Sequence, residues 1–238
     1  AAVATVSAQF VVMFVMMVGV FRSKKEENVL KGIRLFEPFS KEELGNICKI
    51  GGPTAIQGMV YCMISMVLTR MVAAFGAEAI ATQRVGGQIE SVSWNTADGF
   101  AAALNAFVGQ NYGAKKMDRV QKGYRISFWT VAIWGALIML AFIIFPGPIA
   151  GVFFHEEKAM EIAISYLIII GFSEAFMCVE LMTIGALSGL GKTKLCSVIS
   201  ITATSMRIPL AMVLSRTSLG LDGIWWALTL TSVAKGII

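Results

Sequence analysis

Asp98, Glu174 and Arg207 are ionisable residues set deep inside long apolar stretches of a 238-residue chain. A charge in hydrocarbon costs about 2.5–3.5 kcal/mol on the mildest scales, so it persists where it has a partner or a task. Buried carboxylates can trade a proton or a cation, and an arginine can neutralise one of them. Such groups suit the movement of something polar or charged across a membrane. Bond-breaking chemistry lacks its parts. His155 is the only histidine and falls in a connecting segment, where it reads as a solvated loop residue. With no metal-type cluster, nothing is present to activate water, which argues against a membrane-embedded hydrolase.

Between residues 79 and 108, Arg84, Gln88, Ser91, Asn95 and Asp98 recur at spacings of 4, 3, 4 and 3. On a helix they occupy an arc of about 80°. A lipid-facing wall cannot be polar for four turns, so the stripe either joins helices or lines a water-filled cavity, and a stripe ending in a carboxylate favours the cavity. Glu90 lies about 80° from Asp98 on the same wheel and is the weaker candidate. Counting 1.5 Å per residue from the basic ends of the spans puts Asp98 about 21 Å deep, Glu174 about 22 Å, Arg207 about 18 Å, Gln57 about 17 Å and Tyr61 about 22 Å. Polar residues from four helices thus share a depth near mid-membrane, where secondary transporters bind substrate and coupling ion. Glu180 lies nearer the basic side, about 120° round from Glu174. Arg207 has a plain role open to it, the neutralising of Glu174 or Asp98, which would leave one carboxylate unpaired.

These residues must be held by membrane-spanning helices. The chain is 56% hydrophobic and 15% charged, against the roughly 25% charged of soluble domains. Residues 1–21, 50–69 and 126–154 carry no charge. About 20 apolar residues cross a bilayer. Stretches near 79–108, 159–188, 195–215 and 223–238 qualify once one to three charges are tolerated. The runs are too long and too uniformly apolar for barrel strands. Basic residues collect in alternate connections: Arg22 to Lys49, then Lys115 to Arg125, then Lys192 and Lys194. The positive-inside rule makes that face cytoplasmic. The net charge of +5 is therefore a topology signal with no call for nucleic acid. Residues 1–21 lack a basic n-region and read as a spanning helix rather than a signal peptide. Both ends fall in apolar segments, so the chain reads as a piece of a longer protein.

The segment 22–45 mixes charges with Leu30, Ile33, Leu35 and Phe36, the pattern of an amphipathic helix linking two bundles along the membrane surface. The reading is 1–22 as the last helix of one bundle, 23–44 as linker and 45–238 as a second bundle. Residues 109–125 read as a loop rich in Gly and base. Pro53 opens the second span and Pro209 follows Arg207, and each frees the carbonyl four residues earlier, at Lys49 and Ser205. GLGKTK at 189–194 lacks the Gly and the preceding strand of a P-loop, so its glycines read as a sharp turn. Cys48, Cys62, Cys178 and Cys196 have no disulfide or zinc spacing.

GQNYGAKK (109–116), GALSGLGKTK (185–194), TQRVGGQIESVSWNTADGF (82–100) and GGPTAIQG (51–58), in this order and spacing, resemble the multidrug and toxic compound extrusion (MATE) family over about 45–238. The resemblance implies an all-α integral membrane fold: the six-helix C-terminal bundle of a twelve-helix antiporter, preceded by the last helix of the N-terminal bundle and with the remaining N-terminal half as its partner. By position, Asp98 and Gln88 would face the C-terminal cavity and Glu174 would match the acidic region of the tenth helix. Tyr61 stands where some members carry an acid, and Ser188 and Lys192 replace an Arg and an Asp, so the missing half is the other place for a coupling site. The function implied is export of amphipathic or cationic small molecules, such as drugs, toxins or metabolites, in exchange for Na⁺ or H⁺, with no cofactor, in a bacterial inner membrane. Trp94, Phe100, Tyr61 and several Met could form an adaptable apolar wall. The alternative is a flippase of lipid-linked oligosaccharides or other lipids, which calls for several cavity arginines. A seven-helix receptor or light sensor lacks complete end helices and an isolated buried Lys.

Overall fold

The structure, a computed structural model, describes residues 2–22 and 40–237. The chain divides into two units, residues 1–45 and 46–238. The first holds α1 (Ala2–Arg22), whose Phe10, Phe14 and Met16 are exposed. An apolar helix without a packed face is stable in lipid rather than in water. The amphipathic segment expected over 23–44 lies outside the described residues as far as 39. Ser40 then caps α2 (Lys41–Ala73), its hydroxyl accepting from the Glu42 amide at 3.2 Å.

The second unit runs from Asn46 of α2 through α3 (Ala77–Gly113), α4 (Met117–Ile144), α5 (Pro146–Phe153), α6 (Glu157–Gly189), α7 (Thr193–Ser205), α8 (Arg207–Leu214) and α9 (Leu221–Ile237). All seven apolar stretches are thus helical, and no strand occurs among the described residues. Among the described residues, four spans are both long and apolar enough to cross a membrane: α2, α4, α6, and α7 with α8.

Three features differ from the sequence reading. The stretch 126–154 is two helices, because Pro146 and Pro148 cannot continue the hydrogen-bond ladder past Ile144. Pro53 does not open α2 but sits well inside it. The connection read as 109–125 is only Ala114–Lys116. There the Lys116 amide reaches the Asn111 carbonyl at 2.8 Å, closed by Lys115 at φ 57°. The turn from α6 to α7 repeats this arrangement: Lys192 donates to the Leu187 carbonyl at 2.9 Å, with Gly191 at φ 75°. Both are helix C-terminal turns of the Schellman kind.

α6 is the axis of the second unit, packing against α3, α4, α5, α7 and α9. Lipid tails give apolar helices no hydrophobic reason to associate, so small residues that permit close van der Waals contact must do so. A Cβ on Gly185 would stand 2.5 Å from the Ala101 carbonyl oxygen, and one on Gly189 2.6 Å from that of Asn105. On the other flank a Cβ on Gly135 of α4 would stand 2.7 Å from the Ala175 Cα. α2 joins through one edge, where Ile64, Leu68 and Val72 meet Ala79, Ala211, Ile224 and Ala227.

A left-handed backbone costs an L-residue about 1–2 kcal/mol relative to Gly. Lys115→Gly in the full-length parent protein should therefore raise the thermal unfolding midpoint in detergent by about 2 °C. Gly185→Val should lower it far more, as α6 would be forced off α3.

Candidate functional site

The face of α3 that meets α6 carries Thr82, Gly86, Ser93, Ala97, Ala101, Leu104 and Val108, all buried at spacings of three, four and, once, seven. Most are small, as the close approach requires. Glu90 lies at the edge of this face. Gly86 leaves room for the Tyr166 ring, which occupies the place a Cβ would take. The ring also stands edge-on to Trp225 at 5.0 Å. So held, the Tyr166 hydroxyl donates to Glu90 Oε1.

Two turns further along α6, Glu174 is completely buried (0% exposed). Neither of its carboxyl oxygens has a hydrogen-bond partner within 3.5 Å, although the Ser93 hydroxyl is near enough to act on it. Ser93 Oγ lies 3.3 Å from Cys178 Sγ, one turn on from Glu174. Glu90 lies within electrostatic reach of both Glu174 and Arg207.

α7 ends at Ser205, four residues before Pro209, which has no N–H to bond the Ser205 carbonyl. Arg207 therefore opens α8, 7% exposed. Its Nε donates to Thr231 Oγ1 at 3.0 Å and its Nη2 to Ser232 Oγ at 2.9 Å. No carboxylate salt-bridges it among the described residues. The guanidinium is fixed by neutral hydroxyls of α9, and its charge remains available to Glu90.

Glu180 pairs elsewhere. Its Oε1 accepts from Lys235 Nζ at 2.9 Å, each side chain 10% exposed. This pair ties α6 to α9 and takes Glu180 out of the Glu174 neighbourhood. Of the residues singled out by sequence, Glu90, Glu174 and Arg207 converge. Asp98, Gln88 and Asn95 are exposed on α3, off the face that meets α6. Gln57 is half-buried and Tyr61 is 51% exposed on α2. Tyr166, Ser93, Thr231, Ser232 and Lys235 escaped the sequence reading. Only Lys235, a charge in the last apolar stretch, carried a signal there.

With this arrangement in hand, the chain can be set beside known proteins. Residues 53–213 match the MatE family. The chain belongs to the MatE family. Members of the family are transporters rather than enzymes, and the chain is a multi-pass membrane protein. It is 30% identical over 231 residues to "Probable multidrug resistance protein NorM" of Thermotoga maritima, covering 94% of this chain and 48% of that protein. It is 26% identical over 226 residues to "Probable multidrug resistance protein YoeA" of Bacillus subtilis, covering 94% and 49%. The chain thus spans about half the length of these relatives. A MATE protein crystallised in the straight conformation superposes with a TM-score of 0.82 at 19% identity, over 95% of this chain and 51% of that one. The MatE fold is shared although few residues are.

Removing one partner of a buried ion pair strands the other charge at a cost of about 3–5 kcal/mol, whereas removing both is often close to neutral. In the full-length parent, Lys235→Met or Glu180→Gln alone should lower the unfolding midpoint in detergent by several degrees, and the double variant should recover most of the loss.

Proposed function

We propose that the full-length MatE protein is a secondary active antiporter that exports amphipathic or cationic small molecules in exchange for Na⁺ or H⁺ by alternating access, with this chain as its C-terminal half. The observation that carries this reading is Glu174, a completely buried carboxyl with neither oxygen hydrogen-bonded. A carboxylate left bare in a dry site is costly, so the group must hold a proton or a cation. A cargo bound at neutral cost would not need it. Arg207 offsets Glu90 and Lys235 offsets Glu180, so Glu174 is the acid of this interior free to exchange. The names of the two relatives support drugs as the cargo.

In the outward-open state Glu174, with Glu90 and Tyr166 beside it, takes up the coupling ion. That change of charge weakens a bound organic cation and favours its release, and the bundle then rocks inward. By linkage, substrate and coupling ion lower each other's affinity by the same factor. Asp98, Gln88, Asn95, Tyr61 and Gln57 would form a second polar surface, on α3 and α2, for cargo. Orientation follows the positive-inside rule. The turn after α3 and the turn after α6 lie at one end of the bundle and carry Lys115, Lys116, Lys192 and Lys194, which makes that end cytoplasmic, in a bacterial inner membrane. Flipping of a lipid-linked pyrophosphate is less well served, since Arg207 is the one buried arginine among the described residues.

Ethidium efflux from cells carrying the full-length parent, with and without a Na⁺ or pH gradient, tests the reading. Wild type should show gradient-driven efflux. Glu174→Gln, at equal expression, should lose the gradient response, while Asp98→Asn should weaken substrate handling. Full gradient-driven efflux in Glu174→Gln would move coupling to the other half of the protein.

A further inference from the structure

Whatever neutralises Glu174 comes to a site with little to offer a metal ion. α3 and α4 reach α6 at this level through Ser93 and Gly135, and all three helices run unbroken past it. In secondary transporters Na⁺ is coordinated by carbonyls of unwound backbone at discontinuous helices. Around Glu174 the carbonyls are spent on helical hydrogen bonds. At the break between α7 and α8 a carbonyl is free, that of Ser205, but the group beside it is the cation Arg207.

Side chains do not make up the shortfall. Among the described residues, Ser93 is the side chain near enough to bond the Glu174 carboxyl, and its hydroxyl also lies 3.3 Å from the Cys178 sulfur. Sulfur is a soft donor, poorly matched to a hard cation. On the α4 side a Cβ on Gly135 would stand 3.3 Å from the Glu174 carbonyl oxygen, so that helix presents backbone rather than a ligand. Glu174 is 0% exposed, and solvent does not reach it. Hard cations gather about six oxygens. Two carboxyl oxygens and one hydroxyl fall well short.

Charge points the same way. The titratable groups that act on Glu174, or feel it, are Glu90 of α3 and Tyr166 and Cys178 of α6. Glu90 accepts from the Tyr166 hydroxyl and has the charge of Arg207 within reach. Glu180 is held by Lys235. One negative charge is left over, on Glu174. A proton cancels it with a single O–H bond and asks for no coordination shell.

We propose that Glu174 exchanges a proton rather than Na⁺, which makes the transporter H⁺-coupled through this half. The proton adds to one oxygen of the ionised carboxyl in the outward-open state and leaves from the same group in the inward-facing state, with no other bond made or broken. This rests on the antiport reading above and narrows it to one ion.

Infrared difference spectroscopy of the full-length parent in detergent reads the carboxyl directly, because a protonated carboxyl has a C=O stretch that a carboxylate lacks. The band that Glu174→Gln removes should be present at neutral pH in choline buffer and keep its full height when Na⁺ replaces choline. Absence of such a band, or its loss on adding Na⁺, would overturn the proposal. In proteoliposomes, a pH gradient without Na⁺ should drive ethidium transport by wild type, and a Na⁺ gradient at equal pH should drive none. Transport driven by Na⁺ alone would overturn the proposal and leave the antiport reading standing. Transport driven by neither gradient would defeat both.

Discussion

The backbone of α6 rests directly on that of α3, at Gly185 against Ala101 and at Gly189 against Asn105. Side chains on either helix would hold the two apart by several ångströms. In water, burial of apolar surface could draw such helices together; in lipid it cannot, and contact of this closeness is what remains. The polar interior follows from it. Only because α3 comes this near can Ser93 touch Cys178 and Glu90 receive the Tyr166 hydroxyl. The same device works on the other flank of α6, where Gly135 admits Ala175 next to Glu174. The glycines therefore set distances to which the charged residues respond.

Charge in the second unit is arranged in two different ways. Glu180 and Lys235 satisfy each other and act as a structural tie. Arg207 is tethered by hydroxyls that cannot neutralise it, an arrangement that preserves its field while fixing its place. Low dielectric magnifies both effects. Glu174 has no cation paired with it; Thr82, Gln83, Trp134, Ser197 and Trp225 also hold buried polar atoms without a hydrogen bond, but Glu174 is the one acid among them.

The spans were legible because hydrocarbon imposes a length and a composition that any reader of residues can count. The turn at 189–194 was legible from its glycines. The break before α5 is marked in the sequence by Pro146 and Pro148, yet apolar composition continues across it and masks the division. The short turn at Ala114–Lys116 was hidden, because Lys115 takes a left-handed backbone normally left to Gly. Within the site, Glu174 announced itself as a charge in an apolar run. Tyr166, Ser93, Thr231 and Ser232 did not, for hydroxyls in a membrane helix usually bond their own backbone. Their roles depend on how far each helix is rotated about its axis. That rotation is set by glycines and alanines, which look alike wherever they occur. The stripe ending at Asp98 shows the same limit, since a helical wheel fixes relative angles yet leaves open which neighbour each face will meet.

The paired turns after α3 and α6 carry a further consequence, for the register of the bundle. Each turn closes in three residues, through bonds from Lys116 to Asn111 and from Lys192 to Leu187. Neither has slack to absorb an extra residue. An insertion passed on to α4 would rotate it by about 100° and advance it about 1.5 Å, swinging Gly135 away from Ala175. Chain length at these two points is thus as much a part of the interior's design as the identity of any acid, and over evolutionary time the turns should tolerate exchange of side chains while refusing insertions and deletions.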